Sequence, residues 1–218
     1  MPRRLLLLVA ALALLAGCTG SGSHAFTTQS SVPPGSADTA PAPTVAVPPP
    51  APITFTGAGF DLHTAGRVTP AAFEAAWAGV LGTLDRYLAA AVLTPLRSGG
   101  PAGDLTPFFT RPAAVRVMTV GPDRFAFIDE NLPPVSEVRK ESAVAGLTAL
   151  AGADGIMSVV TAGLDLRLIG HINGAPVTVA RTGELVLMPE GGRWRIDAYD
   201  IKVTRTLAED TTTTTVRS

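Results

Sequence analysis

From Phe73 onward apolar residues recur at three- and four-residue intervals, through Trp77, Val80, Leu81, Leu84, Leu88 and Val92. That spacing lines one face of an α-helix, and Glu74, Asp85 and Arg86 take the other face. Thr69-Pro70 marks the start: a hydroxyl that can cap, then a residue whose missing N–H costs nothing in a first turn. The stripe is expected to end before Pro95, which cannot donate to a helical ladder. Trp77 and Tyr87 could stack on a ligand, but an aromatic at helical spacing is more often core.

Beyond the helix the pattern is less regular. Residues 98–103 form a glycine-rich loop that lacks the Lys-Ser/Thr ending a phosphate cradle needs. Thr106-Pro107 predicts a short helical turn through Phe109, and residues 115–120 and 125–128 around Gly121-Pro122-Asp123 predict a hairpin. From Val138 the period changes to that of a strand. Glu137, Arg139 and Glu141 alternate with Val138, and the segment continues through Val144, Leu147 and Leu150 to a turn at residues 152–155. Within residues 156–171, Leu164, Leu166 and Leu168 face one way and Asp165 and Arg167 the other, the alternation of a half-buried strand. Asn173-Gly174 is a two-residue hairpin turn into residues 177–188, and Gly191-Gly192 turns the chain into residues 193–205.

Four consecutive strands on short turns are antiparallel neighbours. Their apolar face is the surface on which the long helix can bury its stripe, so the fold class is α+β, a long N-terminal amphipathic helix on a curved antiparallel sheet. In the last strand Trp194, Ile196 and Ala198 share one parity while Tyr199, Ile201 and Val203 have the other. A bulge near residues 198–200 would bring both halves inward; otherwise the strand is buried on both sides beyond that point.

Ahead of this domain stand Arg3 and Arg4, an apolar run over residues 5–17, and Cys18. A basic start, a short apolar stretch and small residues make a secretory signal, too short for the roughly 20 residues of a membrane span. Leu15-Ala16-Gly17-Cys18 resembles the bacterial lipobox, which implies diacylglycerol on the Cys18 thiol and cleavage before it. Two acyl chains hold stably to a bilayer where one does not. The expected location is the extracytoplasmic face of the cell membrane, with the chain lipid-anchored. Cys18 is the only cysteine, so the exported domain is expected to hold together without disulfides.

Residues 19–52 consist largely of Ser, Thr, Gly, Ala and Pro with Asp38 the sole charge, too little apolar surface to offset ordering. They read as a disordered tether reaching about 30 Å as a coil or roughly 100 Å as polyproline II. Residues 53–207 are then one domain, and residues 208–218, with five consecutive threonines, a frayed tail. The full chain carries 17 basic and 18 acidic residues; losing Arg3 and Arg4 with residues 1–17 leaves the mature protein mildly acidic. The absence of a Lys/Arg cluster argues against nucleic acid as a partner.

The long helix, the strand meander and the closing Trp194-Arg195-Ile196-Asp197-Ala198-Tyr199-Asp200-Ile201 resemble the nuclear transport factor 2-like, cystatin-type superfamily, a domain often carried by small exported actinobacterial lipoproteins. The resemblance implies a cone-shaped fold, and its isomerases and dehydratases set an Asp or His in the cone with a tyrosine or protonated acid donating to the oxyanion. Residues of matching type are Asp165, His171, Asp197, Tyr199 and Asp200, and the pocket candidates are Tyr199, Asp197, His171 and Trp77. Against an enzyme, Asp165 and Asp197 alternate with apolar residues and should face solvent. His24, His63 and His171 share no local element, so no metal spacing exists, and Asp129-Glu130-Asn131 lacks the calcium-loop pattern and reads as a solvated loop. No cofactor is implied. The expected role is a non-enzymatic interaction module that uses the sheet face or the back of the helix to bind an envelope protein. A carrier of an apolar or lipid ligand between helix and sheet is the alternative, and an isomerase-like enzyme with an Asp/Tyr pocket the third reading.

Overall fold

The computed structural model describes residues 51–207 and 210–218, so Cys18, the signal and nearly all of the tether lie outside the described residues. The elements run β1 (Thr56–Thr64), α1 (Pro70–Tyr87), a π-helical turn (Leu88–Leu93), α2 (Thr94–Ser98), a 3₁₀ turn (Thr106–Phe108), α3 (Arg111–Met118) and α4 (Pro122–Phe127). Then come β2 (Ser136–Ala151), β3 (Met157–Ile172), β4 (Ala175–Glu190), β5 (Arg193–Leu207) and β6 (Asp210–Arg217). The six strands form one sheet in sequence order, with β1 parallel to β2 and every later pair antiparallel. The fold is α+β with a mixed sheet.

Several sequence expectations are corrected. The long helix is preceded by β1, whose Phe60 and Leu62 pack on the core while Gly59 and Asp61 face out; its five glycine, alanine and threonine positions mask the alternation. Residues 115–120 and 125–128 do not pair as a hairpin but lie largely in α3 and α4, each opened by a proline in its first turn, the position where a missing N–H is harmless. The threonine tail is not frayed: it pairs along β5 as β6, with Val216 buried.

The four-strand meander stands as expected. Both of its two-residue turns have positive φ at Asn173 (51°), Gly174 (83°), Gly191 (59°) and Gly192 (75°), the hairpin geometry whose twist matches the strands. Leu164, Leu166 and Leu168 are buried and Asp165 and Arg167 exposed. In β2 the buried residues are Ala143, Ala145, Leu147 and Ala149, which puts Val144 and Leu150 on the outer face. The parity change in β5 is a bulge one residue earlier than expected: Val186 pairs with Ala198 and Leu187 with Ile196, leaving Asp197 as the extra residue. Ile196, Tyr199, Ile201 and Val203 are thereby all buried.

The helix begins as expected, Thr69 Oγ1 accepting from the Ala72 N–H at 3.2 Å. Val80, Leu84, Leu88 and Val92 are fully buried, each stabilising by about 1.5–3 kcal/mol. Phe73 and Trp77 lean instead toward β1, their rings 4.3 and 5.5 Å from that of Phe60. The Trp77 ring lies so close to Gly57 that a Cβ there would stand 2.0 Å from it.

The helix does not stop before Pro95. The π turn shifts the ladder, so that the Thr94 N–H donates to Ala89 O, and Thr94 Oγ1 donates to the same oxygen at 2.8 Å. The backbone N–H of Asp129 donates to the Ala91 carbonyl, inside the same turn, at 3.1 Å, tying the chain after α4 to the irregular turn. Such π segments often sit at functional positions.

Candidate functional site

The end of α4 is held by side chains. Three of the backbone carbonyls left free at its C-terminus each accept one donor: Phe125 O from Arg205 Nη2 at 2.7 Å, Ala126 O from Arg181 Nε at 3.1 Å, and Phe127 O from Tyr87 Oη at 2.9 Å. Cations favour a helix C-terminus, where the carbonyl dipoles point outward. Two residues on, Asp129 bridges the same arginines, one oxygen accepting from Arg181 Nη2 and the other from Arg205 Nε at 2.8 Å. Asp129 is wholly buried and Arg181 nearly so.

Burial pushes the Tyr87 hydroxyl up to about 12 against the lowering effect of nearby Arg181. Burial works against the Arg181 charge too, but Asp129 opposite it holds the guanidinium in its charged form above the usual arginine range. Arg181 Nη1 is buried without a partner among the described residues. Both Asp129 oxygens are engaged by guanidinium donors, so this acid is arranged as an anchor for the α4 end rather than as a proton carrier.

Asp129 and Glu130 are therefore not a solvated loop. Glu130 is paired with Arg124 at 2.6 Å, and that hydrogen bond holds its carboxyl below the ordinary glutamate range although burial opposes it. Arg181 could have been found by parity, since Val177, Val179, Leu185 and Leu187 flank it at even spacing and are buried; Arg205 follows Ile201 and Val203 in the same way. Asp129 carried no such signal.

Of the four pocket candidates, two come together. Tyr199 turns inward after the bulge; its hydroxyl donates to Asp123 Oδ2 at 2.8 Å and accepts from Arg116 Nε at 3.5 Å. Burial raises its pKa, with Arg116 opposing. Asp197 accepts from Thr110 Oγ1 at 2.7 Å through its side chain and from Arg116 Nη2 at 3.1 Å through its carbonyl. Thr110 N also donates to Ile196 O at 2.9 Å, so the bulge is the point where α3 docks on β5. Asp197 is half-buried rather than facing solvent. Trp77 belongs to the β1 contact, and His171 pairs with Glu137 at 3.4 Å; neither joins Tyr199 in a pocket. Asp165 is exposed, and Asp200 pairs with Arg217 on β6.

A gap bounded by Leu96, Val135, Leu168, Val177 and Val179 holds no room for a water molecule. Larger open spaces lie on the surface. A groove of about 530 Å³ runs along α1, floored by Ala72, Ala75, Gly79 and Thr83 and edged by Ile156 and Trp194. Trp194 closes on the helix, since a Cβ on Gly79 would stand 2.7 Å from its ring, and Thr83 Oγ1 donates to Trp194 O at 3.0 Å. Ile156, in the β2–β3 turn, is 65% exposed. No helix among the described residues is long and apolar enough to cross a membrane, and no cluster of His, Cys, Asp or Glu among them could hold a metal ion. The chain matches no protein-family model, no curated protein and no solved structure.

Proposed function

We propose that the protein is a lipid-anchored, extracytoplasmic interaction module whose α1 groove receives an apolar segment of another envelope protein. The observation that carries this reading is the groove itself: an open trough with a floor of small side chains and rims of exposed Ile156 and half-buried Trp194. Small residues let a partner backbone approach closely, and an aromatic rim is what protein interfaces favour. The anchor rests on the lipobox reading of Cys18, and the tether would give the groove room to search. We read the fold in its finer detail as the nuclear transport factor 2-like type, on the long helix, the meander and the bulged β5.

A carrier would need an enclosed cavity between helix and sheet, and the gap bounded by Leu96, Val135 and Val179 is too small even for water. For an isomerase-like enzyme, the Tyr199 hydroxyl is engaged by Asp123 and the buried Asp129 by two arginines. The test is photo-crosslinking in the producing cell, with the reactive residue at Ala75 or Ala78 in the groove or at Thr182 on the outer sheet face. A discrete adduct from the groove positions alone is expected. No adduct there, or the same adducts from Thr182, would refute the groove as the docking surface.

A further inference from the structure

On the other side of the start of β5 lies a second open pocket of about 570 Å³, between the 3₁₀ turn, α3 and β5. Its rim carries Arg111, Arg193 and Arg195, and its wall is built by Ala114, Val115 and Met118. Among the described residues one carboxylate pairs with these three cations: Glu190, which stands 3.2 Å from Arg195 Nη1. Arg111 and Arg193 make no ion pair with any described residue. The Arg195 Nε–H is buried with no acceptor, while its Nη1 reaches Phe109 O at 3.4 Å.

Gathering three guanidiniums around one acid leaves unbalanced positive charge that an anion would relieve. Guanidinium forks match the paired oxygens of a carboxylate or phosphate. The wall below is apolar, with Val115 65% exposed, which a purely polar anion would leave wet. The volume falls in the range of small-molecule sites. We propose that this pocket binds a single-chain amphiphile with an oxyanion head, Arg111, Arg193 and Arg195 holding the head and Ala114, Val115 and Met118 covering the methylenes next to it. This goes beyond the docking role of the α1 groove and does not depend on it, although Arg193 borders both.

The test is calorimetric titration of the chain from residue 18 onward carrying Cys18→Ser, so that no anchor competes. The probes are dodecanoate, dodecyl phosphate, dodecyl maltoside below its micelle concentration, and inorganic phosphate. Saturable one-to-one binding of dodecanoate, dodecyl phosphate or both is expected, and the arm that binds identifies the head. Each methylene removed from the chain should weaken binding by up to about fourfold. Arg111→Gln with Arg193→Gln should weaken it at least about tenfold, the loss of one charge-assisted contact. Val115→Asp, at an exposed position that should not disturb folding, should do the same by placing a carboxylate beside the head. Equal binding of the maltoside, equal binding of inorganic phosphate alone, no binding of any probe, or affinity unchanged in these folded variants would each overturn the proposal.

Discussion

Replacing Asp129 with asparagine should be among the most damaging single changes to the fold. The substitution keeps the volume but removes the carboxylate that bridges Arg181 and Arg205, whose side chains are 2% and 12% exposed. One amide oxygen remains where two anionic oxygens accepted, and the amide nitrogen is turned on a guanidinium. A hydrogen bond to a charged partner contributes about 1.5–3 kcal/mol, and breaking a buried ion pair from one side costs about 3–5 kcal/mol because the remaining charge stays desolvated. We expect a loss of about 3–5 kcal/mol. For a domain of this size that lowers the melting temperature by roughly 6–20 °C.

The assay is urea unfolding of the Cys18→Ser chain followed by far-UV circular dichroism, with two companions that separate charge from packing. Arg205→Gln leaves Asp129 and Arg181 as a balanced pair and should cost less, about 1–2 kcal/mol. Arg181→Met added to Asp129→Asn should recover part of the loss, since an apolar replacement of a buried ionic group is often neutral or better. If Asp129→Asn costs under about 1 kcal/mol, or if Arg181→Met deepens its effect, the carboxylate is not a desolvated counter-charge and the account of the α4 anchor fails.

Both tyrosines of the chain, Tyr87 and Tyr199, are shifted upward. An ultraviolet titration of the native protein should therefore show less tyrosinate than the urea-unfolded chain where the latter titrates near 10, with Tyr87 the later of the two to ionise. A folded pKa above the unfolded one contributes stability that is present below about 10 and lost as pH rises through about 12 for Tyr87; normal titration with an intact dichroism spectrum would contradict this. Glu130 has the opposite sign: its lowered pKa supports the fold above the ordinary glutamate range and ceases to as pH falls through its folded value. Glu130→Gln should flatten that acid limb of a stability–pH curve, and an unchanged limb would remove Glu130 as its source. Gly57→Ala drives a methyl into the Trp77 ring and should cost about 1–3 kcal/mol by overpacking, with a red shift of Trp77 emission measured in a Trp194→Phe background. Cys18→Ser should move the protein from the membrane pellet to the soluble fraction, and persistence in the pellet would remove the lipid anchor.

What the sequence shows well is whatever alternates or repeats over many residues. The stripe from Val80 to Val92, the leucines of β3 and the two glycine turns are local patterns with one physical meaning each. The elements missed are those whose identity is decided by distant partners. Residues 115–120 have strand-like composition, yet Thr110 and Arg116 tie α3 to the bulge of β5, and a helix satisfies its own backbone while it does so. β1 has almost no alternation of its own and exists because the edge of β2 and the rings of Phe73 and Trp77 cover it. The threonines of β6 carry no burial signal, but β-branched residues suit an edge strand once β5 is present to pair with. Arg181 was visible in the parity of β4, whereas Asp129 becomes meaningful only when its N–H is seen on Ala91 O and its carboxylate between Arg181 and Arg205.

That last link suggests how the surface sites are kept in place. The Asp129 N–H takes the Ala91 carbonyl of the π turn, just ahead of Pro95, and the Asp129 carboxylate fixes Arg181 and Arg205, which hold the end of α4. Asp123, in the first turn of α4, holds Tyr199 of β5, and Arg116 of α3 bonds the same hydroxyl. The short helices are thus fastened to β5 at both ends, and the arginine-rimmed pocket between α3 and β5 has walls set by these bonds rather than by a mobile loop. Disturbing Pro95 should therefore reach the pocket from across the core. Pro95→Ala adds an N–H beside the π turn that draws its carbonyls back into the helical ladder and away from Asp129, so the stability gained by replacing a helical proline should be largely cancelled. A full gain in stability with the Asp129 amide still protected from hydrogen exchange would show that the irregular turn does not position the anchor.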